Sequence, residues 1–226
     1  MTATRVAYFG LDHHHCPPYL ESLAQLPVAV TAAYESDEAV GIGDVEPLGD
    51  DVTLYRDYED LLETESVDVA WVSLSNRDSP AVLQSAIEAG VDVYTEKPAA
   101  RTAADLEPIV ELASDTDATV ATSYVWRAHP IARELRSRAA AGFFGGVSAV
   151  SARFVASSLA HRDTSHDLYD AAASRGGIVQ WLGVHWIDLV PWLLQDPVVR
   201  VNATTRSGTP AVDVEDGATV RLETES

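Results

Sequence analysis

Short apolar runs alternate with segments whose apolar positions recur at helical spacing through the first half of the chain. Arg5 to Gly10 is an apolar run closed by glycine, the pattern of a buried first strand. Pro17 to Leu26 has helical periodicity, and its two prolines suit a helix's first turn, where an N–H is not needed. Val28 to Tyr34, rich in β-branched residues, reads as a second strand. The acidic, Gly-containing stretch Glu35 to Asp51 reads as loop with at most a short helix. Thr53 to Tyr55 reads as a third strand, with a helix over Tyr58 to Glu63. Four further strand and helix segments follow in turn: Val67 to Leu74 as strand, Pro80 to Ala89 as helix stopped by Gly90, Val91 to Thr95 as strand, and Ala103 to Ser114 as helix. Thr119 to Ser123 closes the series as a strand. Strands alternating with helices imply parallel pairing through right-handed crossovers. A doubly wound sheet of this kind places ligands at the carboxyl ends of its strands. The residues expected there are Gly10 to His15, Tyr34 to Ser36, Ser75, Asn76, Glu96 and Lys97.

The pattern then changes. Ile131 to Ala141 reads as a helix ended by Gly142, and Gly146 to Ala156 as a strand. Ile178 to Leu194 is an apolar helix carrying Trp181, His185, Trp186 and Trp192, preceded by Gly176-Gly177. Val198 to Thr205 and Ala218 to Glu223 read as further strands. Strands without intervening helices predict a mostly antiparallel sheet in an α+β arrangement. Two domains are therefore expected, at 1–123 and 124–226. At 226 residues the chain has room for one full domain and part of another.

Charge narrows the partners. Acidic residues number 35 against 15 basic, a formal net charge of −20. Such a field repels nucleic acid and anionic lipid, so neither is expected as a partner. The basic residues are 14 arginines and a single lysine, a balance that fits a protein adapted to concentrated salt, which screens self-repulsion. That one lysine is Lys97, inside Tyr94-Thr95-Glu96-Lys97-Pro98. Arginine replaces lysine on a solvated surface but cannot donate a proton, which favours a chemical role for the lysine retained. The single cysteine, Cys16, excludes an internal disulfide and a multi-cysteine metal site. No stretch approaches the roughly 20 apolar residues of a membrane span, and the N-terminus lacks the pattern of a signal peptide, so the cytoplasm is expected.

The first strand–loop–helix is where a dinucleotide's pyrophosphate is expected. The loop reads Gly10-Leu11-Asp12-His13-His14-His15, and keeps only the first glycine of a G-x-G-x-x-G fingerprint. No metal is expected at the three histidines, because consecutive side chains point in different directions; His15 is instead expected near a phosphate or the nicotinamide. Glu35, at the end of the second strand with no arginine nearby in sequence, is placed to meet ribose hydroxyls and to favour NAD over NADP. On so acidic a chain it also reads as a solvated acid.

The segment Val67-Asp68-Val69-Ala70-Trp71-Val72 … Asn76 … Ala89-Gly90-Val91-Asp92-Val93-Tyr94-Thr95-Glu96-Lys97-Pro98 resembles the core of the glucose–fructose oxidoreductase/inositol dehydrogenase (Gfo/Idh/MocA) family. Three later signals agree: Tyr124-x-x-Arg127-x-x-Pro130, Gly142-x-x-Gly145, and Gly176-Gly177 followed by Gly183-x-His185-x-x-Asp188. The resemblance implies a Rossmann-type doubly wound parallel sheet followed by an α+β domain, incomplete here because family members usually run well beyond 300 residues. It implies NAD as cofactor, with NADP admissible, and hydride transfer to or from a secondary hydroxyl of a sugar, cyclitol or sugar acid. Lys97 would lie by the nicotinamide and the reacting hydroxyl; Glu96 would lie against the cofactor, and Pro98 would fix the turn. His185 would be the acid/base residue, facing the nicotinamide across the cleft. Gly10, Asp12, His15, Glu35, Ser75, Asn76, Glu96 and Lys97 are the cofactor contacts implied.

The sequence departs from the family at Trp181, where an aspartate usually stands four residues before the histidine. Trp181 is expected to close the substrate pocket, Asp188 to orient His185, and Arg127 to meet substrate or a phosphate. Ser79 replaces a frequent histidine. Read without the resemblance, His185 also fits a core histidine, and Arg127 a structural ion pair. The resemblance further implies a homo-oligomer formed through the second-domain sheet. A binding protein on the same scaffold and an inactive fragment are the alternatives to an enzyme.

Overall fold

The computed structural model describes residues 3–41, 51–161, 163–164, 166–209 and 212–225. Most of the acidic segment read as loop, residues 42–50, lies outside them. The chain divides into two compact units, Met1–Ser123 and Tyr124–Ser226.

The first unit is a six-stranded sheet. Its strands are β1 (Thr4–Phe9), β2 (Val28–Tyr34), β3 (Thr53–Tyr55), β4 (Val69–Val72), β5 (Asp92–Thr95) and β6 (Val120–Thr122), in the order β3-β2-β1-β4-β5-β6. Every pairing is parallel. Between strands run α1 (Cys16–Leu23), α2 (Tyr58–Thr64), α3 (Ser79–Glu88) and α4 (Ala103–Ser114). This is the doubly wound order with its switch point between β1 and β4.

β1 is central and covered on both faces, which is why its sequence is continuously apolar rather than alternating. Val6 and Tyr8 pack with Cys16, Leu20 and Leu23 of α1. Ala7 and Phe9 point to the other face and pack with Val82, Leu83 and Ile87 of α3. Helix starts are fixed by side-chain caps: the Asp57 carboxylate accepts from the N–H groups of Glu59 and Asp60, and the Thr102 hydroxyl accepts from that of Asp105.

The second unit contains α5 (Pro130–Ala140), the short α6 (Ala171–Ser174), α7 (Val184–Leu194) and an antiparallel hairpin of β7 (Val198–Arg206) and β8 (Gly217–Thr224). A π-helical turn over Val179–Gly183 leads into α7, so the long apolar helix read from the sequence has a wider first turn. Gly146–Ala156 is not a strand. The segment alternates small and apolar residues, but among the described residues no strand ladder includes it, and Val150 and Val155 are 50% and 79% exposed. A strand is defined by its neighbour's hydrogen bonds, which local propensity cannot supply. Among the described residues no helix is long and apolar enough to cross a membrane.

Candidate functional site

β1 ends at Gly10, whose φ of +96° is a conformation L side chains rarely adopt. A Cβ here would stand 2.3 Å from the Ser73 carbonyl oxygen at the end of β4, so glycine is required by space as well as by dihedral angle. The Gly10 N–H donates to the Tyr34 carbonyl at 3.0 Å, which joins the ends of β1 and β2.

Glu35 follows β2 and is 3% exposed. One carboxylate oxygen accepts from the N–H groups of Leu11 (2.9 Å) and Asp12 (3.2 Å), and the other from that of Asp37 (2.9 Å). Glu35, expected to meet ribose hydroxyls, is here turned inward and fixes the loop after β1. The expectation that no arginine is near fails in space. Arg56, from the segment between β3 and α2, donates to the carbonyls of Glu35 (3.0 Å), Asp37 (2.6 Å) and Val40 (2.8 Å).

Glu96, just past β5, is the hub of the edge and 5% exposed. Its Oε1 meets His15 Nδ1 at 2.8 Å and accepts a short hydrogen bond from the Tyr19 hydroxyl. Its Oε2 accepts from the Ser123 hydroxyl at 2.9 Å and from the Lys97 N–H. The Lys97 ammonium lies 3.9 Å from Oε2, its side chain only 8% exposed. Burial alone would raise the Glu96 carboxyl, but the His15 hydrogen bond, the Lys97 charge and the Tyr19 hydroxyl outweigh it and bring it down to about 2. Burial and the adjacent carboxylate push the Tyr19 phenol far up, so it remains a donor.

Tyr19 and Ser123 were not singled out from the sequence. Tyr19 stands one turn after His15 on α1, the spacing that puts both on one face, and Ser123 follows β6, next to β5. Both signals were readable once the strand order was known.

At the end of β4, Ser75 and Asp78 build the turn into α3. The Ser75 hydroxyl donates to Asp78 Oδ2 at 2.6 Å and accepts from the Asp78 N–H at 3.2 Å. Half-buried Asn76 lies in the same turn, while Asp12 is exposed in the loop after β1.

The three histidines do converge. Their ring centroids lie 4.5 Å (His13–His14), 4.0 Å (His14–His15) and 5.2 Å (His13–His15) apart. The expected divergence holds for strands and helices, whereas these residues occupy a series of tight turns. Directly after them Pro17 and Pro18 remove two N–H donors from the first turn of α1, so the helix terminus offers an anion less than usual.

In the second unit His185, on α7, is 8% exposed and stacks on Trp126, with centroids 4.7 Å apart and planes 20° from parallel. Asp188, expected to orient His185, has its carboxylate held by Arg127 through a bidentate pair, with Arg127 Nε 2.8 Å from Oδ2. This fits the structural ion-pair reading of Arg127, whose guanidinium also lies over the Tyr124 ring at 5.6 Å. Trp181 is 7% exposed in an apolar cluster with Tyr169 and Val214, edge-on to Tyr169 at 5.6 Å. The π-helical turn separates it from the regular α-helical register of His185. The Gly176-Gly177 turn is fixed by Glu215, whose carboxylate accepts from the N–H groups of Gly177 (2.7 Å) and Val179 (3.1 Å).

Both units match family models. Residues 6–124 match the oxidoreductase family, NAD-binding Rossmann fold, and residues 132–226 match the GFO/IDH/MocA C-terminal domain. Inositol 2-dehydrogenase 1 of Saccharopolyspora erythraea is 30% identical over 199 residues, covering 86% of this chain and 56% of that protein. D-xylose 1-dehydrogenase (NADP(+)) 2 of Haloferax volcanii is 26% identical over 180 residues, covering 76% of this chain and 54% of that protein. The chain thus spans about half the length of these relatives. Among solved structures, an oxidoreductase domain protein from Kribbella flavida superposes with a TM-score of 0.88 at 21% identity, over 100% of this chain and 65% of that one. GenD2 from gentamicin A biosynthesis, in complex with NAD, gives 0.82 at 22% identity, over 100% and 63%. These two likenesses concern the fold.

Proposed function

Because the chain belongs to the Gfo/Idh/MocA oxidoreductase family, with an NAD-binding Rossmann domain over residues 6–124, we propose that it is an NAD(P)-dependent oxidoreductase transferring hydride to or from a secondary hydroxyl of a sugar, cyclitol or sugar acid. The observation that carries this is the buried Glu96 carboxylate at the carboxyl edge of the parallel sheet, with the chain's one lysine held against it.

The edge fits a dinucleotide at the strand switch point, where Gly10 lets the backbone pass against β4 as no larger residue could. The cofactor when bound supplies the hydride acceptor or donor. Gly10, Asp12, His15, Ser75, Asn76, Glu96 and Lys97 are the residues that would hold it, with Glu35 shaping the loop from behind. With two prolines in the first turn of α1, imidazole N–H groups take over part of the phosphate contact.

The Lys97 ammonium, kept charged-partnered by Glu96, holds the reacting hydroxyl and assists its proton transfer. His185, in the second unit, would serve as the acid/base residue, work suited to an imidazole because its ordinary pKa lies near neutrality. Trp126 fixes the plane of that ring by stacking, and Arg127 steadies α7 through Asp188.

NAD is the cofactor proposed first; the inward Glu35 and adjacent Arg56 weaken the charge barrier to NADP, and the Haloferax volcanii relative is named for NADP(+). A setting of high salt is supported by the charge of −20 carried on a chain with one lysine. Assembly through the β7–β8 sheet is supported by Val199 and Val201, which are 63% and 60% exposed on a strand.

The test is nicotinamide absorbance on mixing the protein with NAD+ or NADP+ and a panel that includes myo-inositol, D-xylose and D-apiose. Turnover with at least one secondary alcohol is expected. Cofactor binding without turnover on any polyol, aldose or sugar acid would leave a binding protein and refute the enzyme.

A further inference from the structure

We propose that His13, His14 and His15 form a binding site for one borderline divalent transition cation of the Zn2+, Co2+ or Ni2+ class. Neutral imidazole nitrogen is a preferred ligand for these ions and a poor one for Mg2+ or Ca2+, which take oxygen. One ring nitrogen from each histidine lies within 4.8 Å of the others. Metal–nitrogen bonds of about 2.0–2.1 Å bring tetrahedral ligand nitrogens to about 3.4 Å apart. Modest side-chain rotation closes the difference, and all three rings are half-buried, with solvent beside them to turn into.

A second feature points the same way. Glu96 holds His15 Nδ1 at 2.8 Å, the carboxylate–histidine arrangement that orients a metal-binding ring and leaves Nε2 to coordinate. Coordination by either nitrogen of His13 requires its Nδ1 to stop accepting the His15 N–H, a single bond of 3.2 Å. Water fills the remaining positions, so the site is open rather than structural. The ion would occupy the loop proposed above for phosphate, but the site stands on the three imidazoles and the Glu96 contact to His15, and does not depend on dinucleotide binding.

The experiment is a Co2+ titration of the full chain, read by the visible absorption of the bound ion. Saturation at one equivalent is expected, with displacement by Zn2+ and none by Mg2+. H13Q and H14Q should each weaken Co2+ roughly tenfold or more, with melts confirming that both variants fold. H161Q, at an exposed histidine of the second unit, should bind as the parent does. Absence of a saturable spectrum, displacement by Mg2+, or parental affinity in both H13Q and H14Q would overturn the site. NADH plays no part in the titration, so these outcomes are distinct from a failure of the oxidoreductase reading.

Discussion

Replacing Lys97 with methionine should lower kcat by roughly 10²–10⁴-fold, the range of a positioned proton-transfer group, while the chain still folds. Methionine keeps most of the length and apolar stem of lysine, so packing in a pocket where the side chain is 8% exposed is largely retained. What disappears is the ammonium. Glu96 then loses a charge partner at 3.9 Å but keeps His15, Tyr19 and Ser123, which limits the stability cost to about 1–2 kcal/mol. Dinucleotide affinity should fall far less than kcat. Arginine should not rescue turnover, because a guanidinium holds charge but cannot exchange its proton near neutrality. Steady-state kinetics of K97M and K97R, with denaturant unfolding alongside, separate these terms. Wild-type kcat in K97M would remove Lys97 from the chemistry.

Replacing Gly10 with alanine should cost about 2–5 kcal/mol of stability and abolish measurable dinucleotide binding. Two penalties coincide at this residue. The φ of +96° is strained for any L side chain, and the new Cβ meets a backbone carbonyl at 2.3 Å, which belongs to the central sheet and cannot swing away. Relief requires β1 and β4 to part at the edge where the loop begins. Urea unfolding measures the first effect and a nucleotide titration the second. A G10A protein as stable as its parent would mean that the close approach to Ser73 is not a constraint.

The parallel half of the fold was legible because its signals are local. Each apolar run is a strand, each periodic stretch a helix, and their alternation leaves only a handful of parallel topologies. Gly146 to Ala156 was misread for the opposite reason: its alternation describes what a strand needs from its own residues, not whether another strand lies beside it.

The candidate site divides in the same way. Glu96 and Lys97 were readable, since strand-end position and a single retained lysine are properties of the chain. Tyr19, Ser123 and Arg56 were not, because their roles depend on which strands become neighbours. The strand-end position of Glu35 was readable, but the sequence does not reveal that the backbone N–H groups of Leu11 and Asp12 lie within its reach. The histidines show the limit of periodicity arguments: side-chain direction follows from φ and ψ, and in successive tight turns neighbouring residues can meet.

The central claim is that the carboxyl edge of the parallel sheet takes NAD(P). A thermal melt of the chain in concentrated KCl, with and without saturating NADH or NADPH, tests it directly, because a ligand bound by the native state alone raises the transition temperature. The prediction is a cooperative transition moved upward by NADH. A cooperative transition that neither nucleotide moves would contradict it.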